Sequence, residues 1–205
     1  MSETPTEEAK VRPIVTYGDP VLQQRTRLVR ERSPQIGRLL DELTATRIAA
    51  PGVGLAAPQV GEALRVCVAL YEDEELRLVN PKIVRRKGAT EGTEGCLSLP
   101  GLQGTVVRPA EVVVQAHTES LKPITVKAEG FFARILCHEV DHLDGRLFVE
   151  RADPESLHWT VPDEESESGY RTIATSLEEA LEAFVKMRRR GESCPEPVRQ
   201  ALAKP

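Results

Sequence analysis

Residues 130–142, GFFARILCHEVDH, constrain this chain more than any other stretch. Read as a helix turning about 100 degrees per residue, the run puts His138 and His142 one turn apart on the face that also carries Phe131 and Ile135. Glu139 lies beside the first imidazole. Two neutral imidazoles at that spacing can hold one divalent metal, and the adjacent glutamate can move a proton to or from water on it, which together make a hydrolytic site. The chain has four histidines, so an accidental HExxH is expected on the order of once per hundred such chains. The motif needs a further ligand before it decides a function.

The rest of the chain sets the frame. With 205 residues there is room for one domain with a core plus an appendage. A net charge of -5 and a pI near 5.5 argue against a surface that coats nucleic acid, and no sequence-specific nucleic-acid partner is expected. The apolar runs are too short to span a membrane. The first ten residues, MSETPTEEAK, lack the basic start and apolar centre of a secretion signal, so residues 1–11 are expected to form a disordered arm. Cys67, Cys96, Cys137 and Cys194 contain no CxxC pair, which makes the cytoplasm the expected compartment and disulfides unexpected.

Along the chain, Asp19 precedes Pro20 as a cap for a short turn. Ser33-Pro34 opens an amphipathic helix to Ala49 with Ile36, Leu39, Leu40, Leu43 and Ile48 in helical rhythm. Residues 50–62, APGVGLAAPQVGE, are too rich in Gly, Ala and Pro for a regular element; Gly52 and Gly54 allow close backbone approach, and Gln59 is an amide in an apolar loop. Short β-branched runs at 64–70, 76–79, 81–86, 111–116 and 123–129 predict small, largely antiparallel sheets, because their connections are too short for helical crossovers. Residues 90–104 read as a glycine-dense loop that leaves the Cys96 thiol accessible. Residues 152–175 read as a polar linker. Ser176 and Glu179 form a capping box for a helix with Leu177, Ala180, Leu181, Phe184 and Val185 as its stripe, so 176–205 is expected as a helical extension.

Several partners for the histidines remain open. The HExxHxxGxxH pattern is met at Gly145 but fails at Phe148, where a third histidine belongs. A zinc endopeptidase would use a downstream glutamate, Glu164 or Glu165. Cys96 could complete a site of two imidazoles and one thiolate with a fourth position free for water, or could instead act as a nucleophile with His117 as base. Cys137 points away from the histidine face and is expected to pack. Asp141 and Asp144 could accept an imidazole N–H or be solvated.

Three stretches taken together carry a resemblance. GVGLAAPQ at 52–59, EGCLS at 94–98 and HEVDH at 138–142 resemble, in this order, the three motifs of bacterial peptide deformylase. GDPVL, NPKI and the run through GRLF extend the likeness over roughly residues 12–151, which we take as the catalytic domain. The resemblance implies an α+β fold in which a central metal-binding helix packs between small antiparallel β-sheets, with the C-terminal helical extension appended.

The function so implied is hydrolytic removal of the formyl group from nascent peptides that begin with N-formylmethionine, releasing formate. The implied ligands are Cys96, His138 and His142, holding one divalent ion, Fe(II) in the cell and Zn, Ni or Co in purified protein. Glu139 is the implied proton carrier; the Gln59 amide and the Leu97 backbone N–H are the implied donors to the formyl oxygen. An extended substrate is expected along Val53, Gly54 and Leu55, with its methionine side chain near Val53, Phe131, Ile135 and the His138 ring. Arg108 is expected to pair with Glu94. The alternatives are the HExxH zinc endopeptidase with a downstream glutamate ligand and, behind it, a non-catalytic, metal-stabilised peptide-binding module. Cys137 departs from the family's usual glutamine, and residues 152–205 exceed the family core; the helix of that tail is expected either to pack on the domain or to dock on a partner, with transient ribosome contact through the C-terminal helix as the docking reading.

Overall fold

A computed structural model of the chain describes residues 9–202, so most of the expected disordered arm lies outside the described residues. The helix-start signals act where they are written. The Asp19 carboxylate accepts from the Val21 N–H at 3.0 Å and opens a 3₁₀ turn, Pro20–Gln23. Helix α1 (Pro34–Ala49) starts at its proline, although the Ser33 side chain makes no capping bond. Ile36, Leu39, Leu40 and Leu43 are buried, whereas Ile48 is 62% exposed. Arg47, one turn after Leu43, continues the stripe instead. Its stem packs inward and its guanidinium donates to Glu75 Oε2 at 2.7 Å and to the Gly52 carbonyl at 3.0 Å.

Strands β1 (Gly54–Ala56), β2 (Val66–Tyr71), β3 (Glu74–Lys87), β6 (Glu111–His117) and β7 (Pro123–Glu129) form one antiparallel sheet in the order β1-β2-β3-β6-β7. The runs at 76–79 and 81–86 belong to one strand: Asn80, at φ 55, carries β3 through a register shift between Val79 and Lys82. The two faces of β2 divide the core. Val66 and Val68 pack toward α1 with Leu40 and Leu43, and Cys67 and Ala69 pack toward helix α2 (Gly130–Leu143) with Leu136 and Val140.

The second sheet joins β4 (Thr90–Cys96), β5 (Leu99–Arg108), β8 (His158–Pro162) and β9 (Tyr170–Ala174), again antiparallel. It overturns two expectations. Residues 90–104 are a β-hairpin, with the glycines serving close approach: a Cβ on Gly92 would stand 3.0 Å from the Arg134 guanidinium. The expected linker 152–175 carries β8 and β9, anchored by buried Trp159 and Val161. Helix α2 reaches this sheet through Arg134, which donates to the Val106 carbonyl at 2.8 Å, so the metal-motif helix lies between the two sheets in an α+β fold.

Beyond β9, the capping box forms as written: Glu179 N–H donates to Ser176 Oγ, and Ser176 N–H to Glu179 Oε2. Helix α3 (Leu177–Arg190) buries Ala180, Phe184 and Met187 in a cluster with Trp159, Leu99, Leu102 and Phe148. Leu177, Leu181 and Val185, the rest of the expected stripe, remain only half-buried. Helix α4 (Glu196–Leu202) packs on the same sheet, with Val198 over Gly101, where any Cβ would collide. The extension is thus part of the domain. Among the described residues no helix is long and apolar enough to cross a membrane.

Candidate metal centre

Strand β4 ends at Cys96 after a register shift at Gly95, and the histidine face of α2 lies opposite that end. His142 Nε2 is 3.2 Å from Cys96 Sγ and 3.2 Å from His138 Nε2. The three donor atoms all lie within 4.8 Å of one another. Donors held at about 2.0–2.3 Å around a tetrahedral ion sit roughly 3.3–3.7 Å apart, so two imidazoles and one thiol at these separations fit a single divalent metal. The His142 Nδ1 atom is buried without a partner among the described residues.

A buried ionic network orients the site. Glu94 Oε2 is 3.0 Å from His138 Nδ1, while Arg108 grips the same carboxylate in a fork (2.8 and 2.9 Å) and Arg134 donates to it at 2.8 Å. Burial alone would raise the Glu94 pKa, but the hydrogen bonds from Arg108 and His138 outweigh it and hold it at about 2. The carboxylate is therefore an anion that fixes the imidazole's far nitrogen. The expected Arg108–Glu94 pair forms. Neither aspartate accepts an imidazole N–H: buried Asp141 pairs with Arg108 and Arg151, and part-exposed Asp144 pairs with Arg65. Glu94 and Arg134 hold the place the sequence did not assign, and the charge of Arg134 on an otherwise apolar helix turn was the available signal.

Glu139 is 3% exposed and its Oε2 has no partner among the described residues. Burial pushes its pKa up to about 7, against the opposing pull of His138. A Cβ on Gly54 would fall 2.3 Å from Glu139 Oε1, so the carboxylate packs on a position only glycine can supply. Gln59 closes the ring. Its Oε1 accepts the Ala56 N–H at 2.9 Å, which turns Nε2 toward Cys96 Sγ (3.6 Å) and Ser98 Oγ (3.4 Å).

A cavity of about 530 Å³ opens onto these groups, bordered by Val53, Gly54, Gln59, Leu97, Phe131 and Ile135 among others. Phe131 is 65% exposed at its rim, and Ile135 is buried against its floor. Leu55, expected to meet the substrate along its strand and not in the methionine pocket, is absent from the cavity lining. Its side chain is fully buried in the cluster beneath α1, because alternation along β1 turns it away from the cavity. Cys137 packs in the core, where burial raises its thiol pKa to about 11. Glu164 and Glu165 lie exposed in the turn between β8 and β9, outside the Cys96–His138–His142 group.

The family model described as polypeptide deformylase matches residues 11–158. This chain belongs to the polypeptide deformylase family. A peptide deformylase of Lachnoclostridium phytofermentans is 45% identical over 159 residues, covering 76% of this chain and 98% of that protein. Peptide deformylase 2 of Streptomyces coelicolor is 47% identical over 153 residues, covering 72% and 86%. Among solved structures, peptide deformylase of Thermus thermophilus superposes with a TM-score of 0.67 at 38% identity over 88% of this chain and 94% of that one. A Met-Ala-Ser-bound class I type b peptide deformylase of Acinetobacter baumannii gives 0.68 at 35% identity over 70% and 99%. The family match stops at the first residue of β8, leaving nearly all of the second sheet's outer half and α3 beyond it.

Proposed function

We propose that this chain is a peptide deformylase: a metal-dependent hydrolase that removes the N-formyl group from formylmethionyl nascent peptides and releases formate. The observation that carries the reading is the convergence of Cys96, His138 and His142 beside a buried Glu139 carboxylate, one oxygen of which has no partner among the described residues. A divalent ion held by those three donors would acidify water and polarise a carbonyl. Thiolate and imidazole ligands suit iron(II), zinc, nickel and cobalt; we assign Fe(II) in the cell, with oxygen sensitivity following from ferrous iron beside a thiolate.

The protein groups supply the rest. Glu139 takes the proton of the attacking water and hands it to the departing amine, a role that suits a carboxyl whose pKa is poised by burial near neutrality. Negative charge gathers on the formyl oxygen, and the Gln59 amide and Leu97 N–H donate to it. Gln59 needs no reorganisation for this task because Ala56 already holds its amide in the donating orientation. Gln59→Ala is therefore expected to lower kcat about 10²–10³-fold, roughly 3 kcal/mol, in steady-state deformylation assays. An unchanged kcat would remove Gln59 from the mechanism.

The substrate backbone adds in extended form to β1, whose outer edge has no neighbour in the sheet order among the described residues, and the methionine side chain enters between Val53, Phe131, Ile135 and the His138 ring. Leu55 contributes through its backbone. Transient ribosome contact through the C-terminal helix is assigned to the half-buried stripe Leu177, Leu181 and Val185, which runs beside Tyr17. Leu181→Asp is expected to weaken co-sedimentation with ribosomes severalfold; unchanged co-sedimentation disposes of the contact.

A further inference from the structure

At the C-terminal end of α2, on the side away from the catalytic cavity, a second cavity of about 600 Å³ is bordered by Arg25, Arg65, Lys82 and Arg86, with Asp144 and Asn80. Four cations there face one carboxylate, in a chain whose net charge is -5. That carboxylate is already engaged, because Arg65 Nη1 lies 2.8 Å and Arg25 Nε 3.8 Å from the same Asp144 oxygen. Among the described residues, neither Lys82 nor Arg86 forms an ion pair.

The walls are built rather than loose. Arg65 is 6% exposed and is fixed by its Nε on the Pro81 carbonyl at 3.0 Å and its Nη1 on the Leu143 carbonyl at 3.2 Å. Asn80 clamps the arginine-rich segment from the other side: its Oδ1 accepts the Val29 N–H at 2.9 Å and its Nδ2 donates to the Val29 carbonyl at 2.8 Å. Thr26 N–H donates to the Leu143 carbonyl, which ties Arg25 across from β3. None of these bonds serves the metal centre directly.

We propose that this cavity binds an oligophosphate anion of the diphosphate or triphosphate class. A net surplus of three positive charges calls for a multivalent partner, and the guanidinium forks of Arg25 and Arg86 match phosphate oxygens in pairs while Arg65 is fixed on protein oxygens. The volume lies within the roughly 300–1,000 Å³ of small-molecule sites. A monovalent carboxylate would leave most of the surplus in place. The inference is independent of the deformylase reading.

The test is isothermal titration of the full-length protein with sodium tripolyphosphate at fixed ionic strength. The expected result is one-to-one binding, with inorganic phosphate at least tenfold weaker and the Lys82→Gln/Arg86→Gln double variant weakened at least tenfold. Both side chains are exposed, so circular dichroism and Tm should be unchanged. Should the double variant misfold, Arg25→Gln alone must weaken binding severalfold. Metal chelation by tripolyphosphate acts equally on both proteins, so the difference between them is the readout. Equal binding by wild type and variants overturns the proposal, and so does binding of duplex RNA through Lys82 and Arg86 without binding of tripolyphosphate.

Discussion

Glu139→Ala should keep its metal and lose about 10³–10⁴-fold in kcat on a formylmethionyl peptide. The three candidate ligands are untouched by the change, so metal content measured by elemental analysis is expected to match wild type. The loss falls on proton transfer. Glu139 sits almost fully buried beside the donors with one carboxylate oxygen unpartnered, whereas Glu94, the other carboxylate bordering the cavity, is held by Arg108 and Arg134. KM should change little, because the substrate backbone and methionine side chain are held elsewhere. This separates an enzyme from a metal-stabilised binding module, in which Glu139 would have no task and its removal no kinetic consequence. A variant with wild-type turnover would contradict the mechanism.

Ending the chain after Arg151 should abolish cooperative folding. The cut removes Trp159, Val161, Ala180, Phe184 and Met187 from a core they share with Leu99, Leu102 and Phe148. Truncating one buried Trp or Phe to Ala typically costs about 3–5 kcal/mol, and a domain's whole stability is about 5–15 kcal/mol. Two such aromatics lost together, with strand β8 stripped from β5, leave the cysteine-bearing hairpin without its support. Thermal denaturation of the truncated protein is expected to show no cooperative transition near that of the full chain. A truncated protein that melts normally and turns over substrate would mean the extension is an independent appendage.

These two results bear on what the sequence disclosed. The HEVDH run, its helical register and the Asp19 and Ser176 caps were readable because each is local, decided by spacing within a few residues. Cys96 was readable as a candidate ligand but not as the end of a strand: TEGTEGC has a glycine where the Arg134 guanidinium approaches closely and polar residues on its exposed face, so it lacks the β-branched alternation that marks a strand. The β8–β9 pair was hidden for a related reason. β9 is an edge strand with exposed Tyr170, Arg171 and Thr172, and only Trp159 and Val161 of β8 face the core. Arg47 displaced Ile48 from the buried face of α1 because helical geometry favours position 47 and a carboxylate, Glu75, waits there from another strand. The face taken by the Leu55 side chain was not readable, because membership of a motif says nothing about which face of a strand a side chain takes. The same holds for Glu94, whose contact with His138 spans 44 residues and depends on how the hairpin docks on α2.

The most direct test of the account is formate release from a formyl-Met-Ala-Ser peptide by anaerobically purified, iron(II)-loaded protein. The predicted result is catalytic formate production that falls to background in Cys96→Ala along with metal content. Full metal occupancy without formate release would contradict it, as would peptide-bond cleavage that survives Cys96→Ala.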